Sequence, residues 1–178
     1  RAFGSQIASD INLTSQISSA LEAQEAAASG DVARRRPCRA SSAAEGRGPE
    51  QAVDGASGTS ARAKREHAAW READLEAQVD VARVAVRGAF GACHVLLLPA
   101  PLGAAPLREA RAQAVADRWV AGDVRGPLDW RPGLSCGAVR VQAKGARALE
   151  LQEVAVATAA AASPAESEAP EEAPVFSP

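Results

Sequence analysis

The sequence predicts an all-β fold: an antiparallel β-sandwich with an N-terminal helix and a disordered acidic tail at its C-terminus. Three observations carry this. Valines alternate with polar or small residues over residues 78–87 and again over 138–142, the period of a half-buried strand. Prolines at 99, 101, 106, 127 and 132, and Gly145, break the chain between such runs. Short strands separated in this way favour an antiparallel sandwich over a parallel α/β sheet. Composition also shifts along the chain and divides it into a helical extension and linker over 1–33, a β-sandwich over 34–158 and a tail over 159–178.

The elements follow in chain order. Ile7, Ile11, Ile17 and Leu21 fall on one stripe of a helix over residues 5–29. Ser9 and Asp10 are candidate caps and Gly30 a stop. So narrow a stripe on a short helix does not hold itself folded in water, so it must dock, and these four residues are the candidate partner-binding face. Arg34, Arg35 and Arg36 form a basic run that reads as a solvated linker rather than a phosphate contact. Residues 40–66 are rich in Gly, Ser, Ala and charge and read as loop. Further strand pieces lie at Leu149–Gln152 and Val154–Val156. The stretch from Leu107 to Val120 fits either a helical turn or two, or an irregular strand carrying Trp119. Beyond Thr158 the chain is acidic, rich in Pro and Ala, and has almost nothing large to bury, so it is expected to stay disordered.

Composition limits the function. The 178 residues are 47 % hydrophobic, but 44 of them are alanine, which buries little area. With three Phe, three Trp and neither Tyr nor Met, the core must be built from Val, Leu and a few Trp. A net charge of -2 gives no footprint for nucleic acid. The longest apolar run, residues 94–98, is far too short to span a membrane, so no transmembrane segment is expected. The chain starts at Arg1 with no secretory leader in view, which reads as a processed or truncated start. Cys38, Cys93 and Cys136 are odd in number and lack zinc-site spacing, so three reduced thiols are expected.

Chemistry-bearing motifs are few. His67 lies in an exposed Arg-Glu-His stretch, and His94 follows Cys93 beside an aliphatic run. Neighbours in a strand point to opposite faces, so Cys93 and His94 form no dyad. No nucleophile elbow, phosphate loop or HExxH pattern occurs, and no pair of carboxylates is spaced as acid and base. Asn12 begins a glycosylation sequon inside the expected helix.

One ordered set of segments stands out: Arg36-Pro37-Cys38-Arg39-Ala40-Ser41-Ser42, then Ala52-Val53-Asp54-Gly55, then Trp70-Arg71-Glu72-Ala73-Asp74-Leu75. Val81 to Val86 follows, then Cys136 to Gln142, and Leu149-Glu150-Leu151-Gln152-Glu153-Val154-Ala155-Val156 closes it. This order resembles the discoidin family, the coagulation factor 5/8 type C domains, and especially its fucolectin-like branch. The resemblance covers about residues 34–157. It implies an eight-stranded antiparallel jelly roll of the galactose-binding-like kind, with a core that includes Trp70, Leu75, Val84, Val86, Val139 and Val141. It also implies a structural calcium at Gln51, Asp54, Ala56 and Glu153, where backbone carbonyls combine with the Asp54 side chain and with Glu153, oxygen donors of the kind calcium takes. The alternative is that Asp54 caps its own turn and Glu153 pairs with a basic residue. No other cofactor is required.

The fucose-binding branch uses a His followed by two Arg. His67 and His94 lack that sequel, and Arg108, Arg111 and Arg118 do not align with it. The first expectation is therefore a non-catalytic interaction module that docks on protein in a larger assembly. The odd cysteine count and the absence of a leader lean to an intracellular setting, and the resemblance, whose members occur both outside cells and in ciliary assemblies, makes a cilium or axoneme the example of one. The alternative is an extracellular or cell-surface carbohydrate-binding domain, with Asn12 glycosylated and Cys93 joined to Cys136.

Overall fold

A computed structural model of the chain describes residues 30–56, 58–122, 124–125 and 127–158. The expected N-terminal helix with Ile7, Ile11, Ile17 and Leu21, and the tail over 159–178, lie outside the described residues. The strands are β1 (Cys38–Ala40), β2 (Ala61–Arg62), β3 (Glu66–His67), β4 (Trp70–Phe90), β5 (Cys93–Leu98) and β6 (Ala116–Val120). They continue as β7 (Val124–Arg125), β8 (Leu128–Trp130), β9 (Leu134–Ala143), β10 (Ala146–Arg147) and β11 (Glu150–Thr158). A 3₁₀ turn spans Pro49–Ala52 and one helix, α1, spans Leu107–Gln113. The count differs from eight because several pieces are only two residues long, whereas β4 runs through 21 residues.

All described pairings between these strands are antiparallel, and the main sheet follows the order β2-β11-β4-β9-β5-β6. The first part of β4 pairs with β1 and β9, and the later part with β11, β8 and β7. Between the two parts the register slips from Asp74 to Val79. Glu76 sits there at φ +60°, and its N–H donates to Asp74 Oδ1 at 2.8 Å. An Asx bond thus makes a left-handed corner from a non-glycine residue. A second slip beside Ala82 explains a parity change in the valine pattern. Val81, Val84 and Val86 are all buried although an odd spacing separates the first two, because the bulge restores them to one face.

The main core lies between the layers and includes Leu75, Val84, Val86, Val139 and Val141. Trp70 is buried but does not belong to that core. It stands with Glu72, Arg140 and Gln142 on the opposite, outer face, because side chains alternate along β4 and β9. A smaller apolar cluster covers this face further along, where Leu107 and Ala110 of α1 pack on Leu96, Leu98 and Ala138. The stretch from Leu107 to Val120 therefore holds both of the elements it could encode, helix first and strand after.

The basic run is anchored at two points while Arg35 stays exposed. Val32 N–H donates to Val156 O at 2.8 Å, Arg36 pairs with Glu76, and Arg34 packs on Gly55. The Cys93–Cys136 bridge is excluded by register. Cys93 faces Ala143, seven residues along β9 from Cys136, or about 24 Å, far beyond disulfide reach. All three cysteines are free.

A candidate carbohydrate site on the outer face

The outer face is organised by a buried polar clip. Arg140 is 0 % exposed and Glu72 is 1 % exposed. Arg140 Nη1 lies 3.3 Å from Glu72 Oε2 and also donates to Gly103 O at 2.8 Å, while Nη2 donates to Ala105 O at 2.7 Å. Gly103 N–H returns a bond to Glu72 Oε1 at 2.9 Å. Together these bonds tie the loop before α1 to the sheet. Arg140 Nε donates to Gln142 Oε1 at 3.1 Å, and Gln142 Nε2 donates to Ala68 O at 3.2 Å. The guanidinium also lies 4.4 Å from the Trp70 ring centre, a cation–π contact. Burial pulls the Arg140 pKa down, and the Glu72 carboxylate opposes that.

The loop before α1 forms one wall of an open groove of about 670 Å³ at the end of the sandwich. Trp70 and Gln142 line it, with Glu66, His67 and Lys144 beside them, and Ala104–Leu107 supply the apolar wall. Glu66 is fixed by the Ser41 and Ser42 hydroxyls, both of which donate to its Oε1. Trp70 N–H in turn donates to Ser41 Oγ at 3.0 Å. The serine pair that ends the Arg36–Ser42 segment therefore positions a carboxylate. β3 pairs with β10 through His67 and Ala146, and Ala68 N–H donates to Gly145 O at 2.9 Å, which brings the two rims together.

The calcium set falls elsewhere. Asp54 Oδ1 accepts from Ala56 N–H at 2.8 Å, and Thr59 Oγ1 lies 3.0 and 2.8 Å from the two carboxylate oxygens. Ala56 O accepts from Thr59 Oγ1 at 2.9 Å. Glu153 Oε2 lies 3.5 Å from Arg87 Nε. Arg34 packs so close to Gly55 that a Cβ there would lie 2.6 Å from its Nε. Asp54 thus caps its own turn, Glu153 faces an arginine, and a guanidinium rests on the turn. These groups, as placed, do not fit an ion that needs six to eight oxygen ligands. Among the described residues no cluster of three or more His, Cys, Asp or Glu side chains gathers.

Sequence reasoning placed His67 at the surface, and it is exposed on the groove rim. It did not find Glu66, Gln142, Lys144 or the Arg140–Glu72 pair. The available signal was the Arg140-Val141-Gln142 alternation, which sets Arg140 and Gln142 on one face opposite a valine.

No family model and no curated protein matches the chain. Solved structures do. A Streptococcus pneumoniae fucose binding module superposes with a TM-score of 0.60 at 19 % identity, over 72 % of this chain and 94 % of that one. The chain has the discoidin, galactose-binding-like fold. The lectin domain of lectinolysin, solved with Lewis B antigen, gives 0.59 at 22 % identity, over 71 % of this chain and 94 % of that one. A chitosan-binding module from a Paenibacillus sp. IK-5 chitosanase/glucanase, solved with chitotriose, gives 0.56 at 18 % identity, over 71 % and 99 %.

Proposed function

We propose that this chain is a non-catalytic carbohydrate-binding module that holds a sugar in the groove between Glu66, His67 and Lys144. The observation that carries the reading is the groove's composition on this fold. Glu66, His67 and Lys144 bring a carboxylate, an imidazole and an ammonium, each able to meet hydroxyl groups, to one groove with an apolar wall at 104–107. The three solved neighbours are described by the sugars that they bind. Glycoside hydrolysis ordinarily needs two carboxylates across the scissile bond. Glu66 is the one carboxylate among the described residues lining the groove, which supports binding over turnover. Attachment to a protein partner through Ile7, Ile11, Ile17 and Leu21 falls outside the described residues, and no described surface favours it over a glycan. A glycan array probed with the full chain tests the proposal. Specific retention that His67→Ala weakens is expected. Failure to retain any glycan, or retention unchanged by substitutions around the groove, would overturn it.

A further inference from the structure

Trp119 on β6 is 43 % exposed, yet it is held in place. Its ring centre lies 4.7 Å from that of His94, with the planes tilted by 46°. His94 Nδ1 and Asp117 Oδ1 are 2.7 Å apart, and Arg111 Nε of α1 donates to Asp117 Oδ2 at 2.6 Å. Partial burial disfavours the Asp117 carboxylate, but the bonds from His94 and Arg111 outweigh it and hold the carboxyl below its usual range. A chain of contacts therefore runs from a helix to an indole that still meets solvent. An aromatic surface immobilised in advance gives up little freedom when a ligand arrives.

The register extends this surface to the groove. Trp70 pairs with Gln142, Gln142 with His94, and His94 with Trp119, one row across β4, β9, β5 and β6. That row spans about 14 Å, longer than one sugar ring. Lys144 joins the two ends: it lines the groove, and its Nζ lies 5.2 Å from the Trp119 ring centre.

We infer that Trp119 is a sugar-stacking platform continuous with the groove, so the ligand is an oligosaccharide with one ring in the groove beside His67 and a further ring on Trp119. Lys144 donates to hydroxyls between them. This deepens the carbohydrate reading and rests on it. The charged neighbours favour a hydroxyl-rich ligand over an apolar one.

The test titrates the full chain with fucose, Lewis B antigen and chitotriose, followed by calorimetry and tryptophan emission. Trp119→Ala should weaken the better-binding oligosaccharide about tenfold and leave fucose binding unchanged. Trp119→Phe should restore most of the affinity. If Trp119→Ala binds the oligosaccharide as wild type does, the platform is wrong and the groove reading stands. The platform is equally wrong if the wild-type chain binds oligosaccharide no better than fucose, or if the variant loses fucose binding in equal measure. If no saccharide of the set binds the wild-type chain, the platform falls together with the function on which it rests.

Discussion

Arg71 should make the protein less stable than it need be. It faces Val141 and Ala40 in register and points between the layers, on the opposite face from Trp70. It is 2 % exposed, and its Nε, Nη1 and Nη2 have no hydrogen-bond partner among the described residues. Burial pulls its pKa down, with the Cys38 and Glu50 fields opposing. Cys38 cannot serve as a counter-ion, because burial pushes its thiol up to about 11, so it is neutral at pH 7. A buried ion with no hydrogen-bond partner and only the field of Glu50 to offset it costs several kcal/mol, and a methionine of similar length would contribute roughly 1.5–3 kcal/mol by its own burial. Imperfect filling of the vacated space offsets part of this. Arg71→Met is therefore expected to raise stability by about 1–4 kcal/mol. For a domain of this size that is about 3–5 °C in melting temperature per kcal/mol. Urea unfolding and thermal melting of the full chain measure it. A variant that unfolds at lower urea with an unchanged slope would show that the guanidinium has compensating partners, and the reasoning would be refuted.

Three further outcomes are expected. Arg140→Met leaves Glu72 buried with the Gly103 N–H as its described donor, so it should cost about 3–5 kcal/mol. Adding Glu72→Gln should recover part of that in a double-mutant cycle, and strict additivity would count against the clip. Burial pushes the Cys93 thiol up to about 12 and the Cys136 thiol up to about 11. Their contribution is complete below the unfolded value near 8.5–9 and is lost as pH rises through the folded values. Urea midpoints should therefore fall between about pH 9 and 12, and a flat alkaline profile would refute this. Millimolar calcium and EDTA should give the same melting temperature, because Arg34 and Arg87 already stand where the calcium set was expected; a rise with calcium would show that an oxygen cage assembles there.

The layered framework was legible because it rests on local periodicity. Valine alternation over 78–87 and 138–142 reports a half-buried strand without any knowledge of its partner. The motif order then supplied a topology that alternation alone could not choose. What stayed hidden depends on pairing between distant segments. Trp70 reads as a core residue from its type and its motif, yet the face it takes is set by its register with Gln142 and by the loop at 103–107 that covers it. Arg140 and Glu72 look like ordinary surface charges until a loop 35 residues away from Arg140 closes over them. The aromatic row combines one residue from each of four strands, so no window of sequence contains it. The helix at 107–113 was ambiguous because its apolar residues are few and mostly alanine, and it is stabilised by packing on Leu96 and Leu98.

The length of β4 has a consequence for how the domain comes apart. One continuous stretch of backbone, bent at Glu76 and bulged beside Ala82, supplies ladder partners to five described neighbours, three toward its later part and two mainly toward its start. Neither layer can detach while the other keeps its strand order, since both share the same backbone. Amides along β4, β9 and β11 should therefore exchange with solvent at one common, global rate, with no sub-globally open form in which half of the sandwich persists. A chain that must pair Trp70 with Gln142 and Val84 with Val156 before either layer is complete should also fold slowly, on the millisecond-to-second scale of β-sandwiches, and in a single step.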